Sequence, residues 1–274
     1  MKLIAIGDTV VDYYQDQGKI YPGGNALNVA VAAKRSGAES SAFLGITGDD
    51  AAAAQVLHSM ESEGIDRSRI RRVYGPHGEA VVTLSEDGDR IFVGTNRGHR
   101  VSSLLRLQLT DDDLAYISQF DVIHSSVNSD LEHELARLAQ QPLSFDFSIK
   151  KRWDDDYLQQ LCPYLTYAFF SGSDMSITEI EELTSRVHSL GVKVVGVTRG
   201  SEAARFSDEG MLYEQLPLRV DIVDTMGAGD SFIGAFLAAY HGTWNMQTAL
   251  GHAAIAASKT CKQYGAFGYG APKK

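Results

Sequence analysis

Positive charge is in short supply in this chain. It carries 25 lysines and arginines against 35 aspartates and glutamates, a formal net charge of −10 over 274 residues. Such a surface repels phosphate backbones and anionic lipid, so neither nucleic acid nor membrane is an expected partner. A small anion held locally by backbone N–H groups stays open. Cysteine is scarcer still. Cys162 and Cys261 stand far apart with no metal-like spacing, which reads as two reduced thiols in a cytoplasmic protein. No apolar run approaches the length of a membrane span. The opening MKLIAIGD reads as a first strand and not as a signal peptide. No G-x-G-x-x-G follows that strand, since Gly7-Asp8-Thr9 does not supply it, and no G-x-x-x-x-G-K-S/T occurs anywhere. A dinucleotide oxidoreductase and a P-loop kinase are thereby excluded. Repeats, low-complexity stretches and an interdomain linker are absent too, so one domain over residues 1–274 is expected.

What is present is an alternation of short apolar strands and helices, in a chain that is 44% hydrophobic. Leu3–Ile6, Ser41–Leu44, Phe120–His124, Leu143–Phe147, Tyr167–Phe170 and Val192–Val197 are predicted strands. Asn25–Arg35, Asp50–Glu63, Leu131–Gln140, Ile177–Leu190 and Phe232–Tyr240 are predicted helices, three of them stopped by Gly37, Gly64 and Gly191. The pattern predicts an α/β fold, a mostly parallel sheet covered on both faces. Glu79–Val93 breaks the rhythm: two β-type runs flank Glu86-Asp87-Gly88-Asp89, a strong turn signal. Asp12–Tyr21 is a second strand-like excursion, and the two predict a small projecting sheet. The Gly-rich tail Gly265–Lys274 is expected on the surface.

The richest chemistry lies in Asp224-Thr225-Met226-Gly227-Ala228-Gly229-Asp230-Ser231-Phe232. Small residues and two acids stand where an apolar helix begins. A helix start presents unpaired N–H groups and partial positive charge. Gly227, Ala228 and Gly229 let a phosphate come close to that backbone. Asp230 beside an anion site would repel the phosphate unless it had a task, and taking a proton from an attacking hydroxyl is such a task. The plain alternative is an aspartate cap on a glycine turn, and the segment alone leaves both open.

Three features in order point further: Gly23-Gly24-Asn25 before the first long helix, Thr198-Arg199-Gly200 after a strand, and Asp224–Asp230 before the apolar helix. With the hairpin they resemble the ribokinase-like (PfkB) family of carbohydrate kinases, from Ile4 to Gly265. Within it, GGNALNVAV with VDTMGAGDSFI, Ser144-Phe145-Asp146-Phe147-Ser148 and Ala257-Ser258-Lys259-Thr260 look most like the fructoselysine 6-kinases, also called fructosamine kinases. The resemblance implies a ribokinase-like three-layer α/β/α sandwich with a small β-sheet lid from about 12–21 and 79–98. It implies ATP with Mg²⁺ as donor, a sugar hydroxymethyl group as acceptor, a homodimer through the lid, and K⁺ or another monovalent cation near the anion hole. Fructokinase or ribokinase-type activity, or a non-catalytic sugar- or nucleotide-binding member, are the alternatives.

Carried over residue by residue, the resemblance makes Asp230 the base and Gly227, Ala228 and Gly229 the anion hole. Asp12, Gly24, Asn25 and Asn28 become sugar ligands; Asn25 also reads as a helix cap. Thr198, Gly200, Gly227, Gly229, Ala254 and Ser258 become ATP ligands, and Asp224 a cation ligand or a structural cap. Two departures stand out. Ala203 replaces a usual glycine after Gly200, and Phe170-Ser171-Gly172-Ser173-Asp174-Met175 lacks the Asn-x-x-Glu motif that organises magnesium-bound water. Arg90, Arg97 and Arg100 flank the hairpin. Their ordinary reading is a solvated edge, with pairing to a substrate carboxylate as the alternative. His124 reads as a satisfied structural histidine.

Overall fold

Alternate residues of the central strands go to opposite faces, and both faces are buried. In the computed structural model, which describes residues 1–84 and 90–273, Leu3 and Ala5 join one apolar core while Ile4 and Ile6 join another. The same division separates Phe43 from Leu44 and Phe169 from Phe170. Period-2 burial on both sides is what a sheet between two helix layers requires. The strands are β1 (Lys2–Gly7), β2 (Val10–Tyr14), β3 (Lys19–Gly23), β4 (Ser40–Thr47), β5 (Arg71–Arg72), β6 (Glu79–Leu84), β7 (Arg90–Thr95), β8 (Val122–Ser126), β9 (Leu143–Ile149), β10 (Tyr167–Ser171), β11 (Val194–Arg199), β12 (Glu202–Asp208), β13 (Met211–Gln215) and β14 (Ala271–Pro272). The large sheet runs β13-β12-β11-β10-β9-β8-β1-β4-β5, with β12 and β13 antiparallel and the rest parallel. The small sheet runs β14-β3-β2-β6-β7.

The helices are α1 (Asn25–Arg35), α2 (Ala51–Ser62), α3 (Val101–Leu104), α4 (Asp111–Ile117), α5 (Leu135–Leu138), α6 (Asp155–Leu161), α7 (Ile177–Ser189), α8 (Ala228–Thr243) and α9 (Met246–Thr260). Every residue of α8 from Ser231 to Tyr240 is buried, as an all-round apolar helix must be. It lies between α1 and α9. From β1 the chain turns to β4 on one side and later crosses to β8 on the other. The switch point is therefore between β1 and β8, where open α/β sheets place ligands beyond the strands' carboxyl ends.

The predicted strands and the lid hairpin are present, while the hairpin's turn, with Asp87 and Asp89, lies outside the described residues. Three expectations are corrected. Leu131–Gln140 forms a 3₁₀ turn and the single turn α5, because Glu134 points inward, where it accepts from the Leu109 N–H (3.1 Å) and Arg137 (2.8 Å). The apolar helix begins at Ala228, one turn before Phe232. The tail is not a surface appendage: Ala266 and Phe267 are buried, and Ala271–Pro272 pairs with β3.

Candidate active site

Helix α1 starts against β1. The Asp8 carboxylate, just past β1, accepts from the Asn25 N–H (2.9 Å) and the Ala26 N–H (3.3 Å), capping the helix. The turn before it admits only glycine. Gly24 has φ +103°, and a Cβ there would stand 2.7 Å from Thr9 Cα. At Gly23 a Cβ would stand 2.3 Å from Asp12 Oδ2, so the buried Asp12 of β2 lies directly over that backbone. Asn25 caps no helix with its side chain; its amide is committed elsewhere.

That amide joins two carboxylates. Asn25 Nδ2 donates to Asp146 Oδ2 (2.6 Å) and to Asp230 Oδ1 (2.7 Å). Asn28, one turn on, donates from Nδ2 to Asp230 Oδ2 (2.7 Å). Each oxygen of Asp230 is thus held by an asparagine of α1. Asn28 Oδ1 is buried without a partner among the described residues, an acceptor open to a hydroxyl donor. Behind Asn25 the order continues. Asn25 Oδ1 faces His124 Nε2 (3.1 Å), and His124 Nδ1 faces Ser144 Oγ (2.9 Å). Burial pushes His124 down to about 3, so the ring is neutral. It donates from Nε2 to Asn25 and accepts from Ser144, a satisfied histidine that fixes which end of the Asn25 amide faces the acids.

Asp146 ends up buried, with Asp230 and Asp8 nearby. Burial first, then the charge of Asp230, raises its carboxyl from 3.8 to about 7. The folded protein then binds this proton more tightly than the unfolded chain. Stability therefore falls as pH rises from about 4 to about 7 and levels off above. Asp146→Asn should flatten that slope. Unfolding midpoints at pH 4.5 and 8 check it, and an unchanged slope would remove Asp146 as its source.

Gly227 caps α8 at φ +73°, and a Cβ there would stand 2.3 Å from Ala266 Cβ. Gly229 is different: a Cβ would meet nothing within 4 Å. Internal packing does not require glycine at 229, while a close approach from outside would. The Ala228 N–H bonds Thr225 O (3.2 Å); the start of a helix leaves further N–H groups without helical partners. Together with Asp230 one residue on, the turn can stabilise a transferring phosphoryl group beside a base.

Asp224 is fully buried and heavily engaged. Oδ1 accepts from the Met226 N–H (2.9 Å); Oδ2 accepts from the Gly265 N–H (2.8 Å) and from the Tyr14 hydroxyl of β2. Burial and this carboxylate push the Tyr14 phenol up, so it stays a donor. Asp224 caps the turn before α8 and ties it to the tail and the small sheet. Thr198 and Gly200 lie where β11 turns into β12, beside Ser173 and the Gly172 N–H, which bonds Thr198 O (2.8 Å). Ala254 belongs to the core, and the Ser258 hydroxyl bonds its own helix at Ile255 O (2.8 Å). Among the described residues no three His, Cys, Asp or Glu gather as a metal cage.

The structure thus brings Asn25, Asn28, Gly227 and Asp230 together. Asp12 lies over the Gly23 backbone, at the turn that leads into α1. Asp8 and Asp146 were not singled out as site residues in the sequence. Their signal is an aspartate set against an apolar strand, just past β1 in Ile6-Gly7-Asp8 and within β9 in Phe145-Asp146-Phe147.

The chain is 52% identical over 273 residues to a fructosamine kinase, FrlD, of Bacillus subtilis (strain 168), covering 99% of this chain and 95% of that protein. It is 32% identical over 273 residues to a fructoselysine 6-kinase of Escherichia coli (strain K12), covering 97% and 100%. In fold it is similar to a fructokinase with bound ATP from Xylella fastidiosa, with TM-score 0.80 and 19% identity over 97% of this chain and 94% of that one. A family model for pfkB family carbohydrate kinases matches residues 1–273. This chain belongs to the pfkB family of carbohydrate kinases.

Proposed function

We propose that this protein transfers the γ-phosphoryl group of ATP to the primary 6-hydroxyl of a glycated amine. The observation that carries the chemistry is Asp230, presented at the start of α8 and held by the Asn25 and Asn28 amides. Support for the acceptor class is the 52% identity to a fructosamine kinase along nearly the whole chain. The acceptor hydroxyl would lie between Asp230 and the phosphoryl group, with Asn28 Oδ1 and Asp12 as polar partners. As proton and phosphoryl group move, Asp230 takes the proton and the Gly227–Gly229 backbone meets the growing oxygen charge.

Mg²⁺ would travel with the nucleotide. Phosphate-bound Mg²⁺ keeps several waters and needs few protein ligands, which suits a site without an acidic cage. Thr198 and Gly200 are proposed to border the nucleotide, with Ala254 and Ser258 on the adenine side. For K⁺, three hydrogen bonds already engage the Asp224 carboxylate. Turnover is expected to be equal in K⁺ and Na⁺ at matched ionic strength; a several-fold advantage for K⁺ would place a cation at Asp224 instead.

A homodimer through the lid completes the proposal. Ile91, Phe92 and Val93 are 48%, 59% and 53% exposed on β7, the edge strand of the small sheet. An open apolar edge invites a partner strand, and a monomer mass by light scattering would refute it. The test of function is ADP release with fructoselysine, fructose, ribose and a nucleoside as acceptors. Fructoselysine should give the highest kcat/KM. Efficient fructose turnover with inert fructoselysine would move the reading to fructokinase, and no ADP above background with any acceptor would leave a binder.

A further inference from the structure

A small crevice opens at the switch point beside the acceptor site, lined by Gly7, Asp8, Arg100, Arg106, Asn128 and Ser129. Arg100 enters it from the end of the lid. Its Cδ lies against Gly78, where a Cβ would stand 3.3 Å away, so the aliphatic stem is covered while the guanidinium reaches on. Nε donates to Ser103 Oγ (2.8 Å). Among the described residues, Arg100 makes no ion pair. The neighbouring acids are committed: Asp130 pairs with Arg97 (3.0 Å), and Asp8 caps α1 and accepts from Ser126 and Ser129. A half-buried cation without an ion pair costs stability unless an anion comes to it. Burial accordingly lowers the Arg100 pKa.

The charges are laid out in order. Asp230, Asp146 and Asp8 lie on the inner side, joined through Asn25; Arg97, Arg100 and Arg106 lie toward the rim. A glycated amino acid has the same polarity, with an ammonium next to the sugar and a carboxylate beyond it. A plain hexose has neither charge. Resting on the function proposed above, we infer that Arg100 binds the carboxylate of a glycated amino acid and so selects it over uncharged sugars and over glycated amines without a carboxylate.

The test compares fructoselysine with the fructose adduct of 1,5-diaminopentane, which lacks only the carboxylate. Losing a charge-assisted, forked contact should raise KM for fructoselysine about 10–100-fold in Arg100→Gln. KM for the diaminopentane adduct and for ATP should stay at wild-type values. Arg100→Lys, which keeps the charge but not the fork, should fall between. An equal loss for both adducts, or no loss for either, overturns the assignment. Failure of the underlying function is seen separately, in the wild type, as preference for fructose over both adducts.

Discussion

Replacing Asp230 with asparagine is expected to lower kcat by roughly 10²–10⁴-fold, the range contributed by a positioned general base, with fold and ATP binding retained. The side chains have the same size, and the surroundings can accept the change. Both Asp230 oxygens now receive N–H donors, from Asn25 and Asn28. An amide at 230 turns one of these into a donor facing a donor. Asn25 cannot turn over to relieve it, because His124 and Asp146 fix both ends of its amide. Asn28 can, since its Oδ1 has no partner among the described residues. The relaxed variant keeps its hydrogen bonds and loses the proton acceptor.

A second readout separates loss of the base from general damage. The Asp230 charge helps hold Asp146 up at about 7. Without that charge the Asp146 pKa should fall, and the pH slope of stability should shift toward lower pH. Turnover within tenfold of wild type would remove Asp230 as the base, since even weak general-base catalysis exceeds that. Lost ATP binding or a collapsed unfolding midpoint would point to a structural role instead. Titration calorimetry with ATP and thermal unfolding distinguish the cases.

The sequence carried the fold and pointed to Asp230, but not to the wiring around it. Local signals sufficed for the predicted strands and for α1, because period-2 apolar runs and glycine stops are properties of neighbouring residues. The asparagines stand out in the sequence as candidates, but their partners do not. Asn25 meets Asp146 and His124 across 121 and 99 residues, contacts that only the assembled sheet creates. Asp224 reads in the sequence as a cap or a cation ligand, and nothing beside it there announces the hydrogen bond from Tyr14, 210 residues away. The tail looked exposed by composition. Residues 265–267 are buried because Gly265 offers its N–H to Asp224 and Ala266 fills the space over Gly227. The missing Asn-x-x-Glu motif remains missing: Gly172 and the buried Met175 stand in that stretch after β10.

The contact between α1 and α8 yields the other large effect. Gly234 lies four residues after Asp230, on the same face of α8. A Cβ at Gly234 would stand 2.6 Å from Val29 O, 2.7 Å from Ala32 Cβ and 2.8 Å from Ala33 N of α1. Ordinary contact between such atoms is about 3.5–4.0 Å, so the helices must separate by about 1 Å. These are backbone or near-backbone atoms and cannot swing aside. Overpacking of this kind costs roughly 1–3 kcal/mol for alanine and more for valine. Alanine regains about 1 kcal/mol in helix propensity over glycine, so Gly234→Ala should be mildly destabilised and Gly234→Val severely. The separation acts where Asn25 and Asn28 reach Asp230, and a misplacement of about 1 Å at a catalytic group can cost roughly 10²-fold in rate. Gly234→Val is therefore expected to lose turnover even well below its lowered unfolding midpoint. Gly242 supplies the control on the same helix: a Cβ there meets nothing within 4 Å, so Gly242→Ala should be neutral or stabilising at full activity. If Gly234→Val matched Gly242→Ala in midpoint and in kcat, close helix approach would not be what holds the base in place.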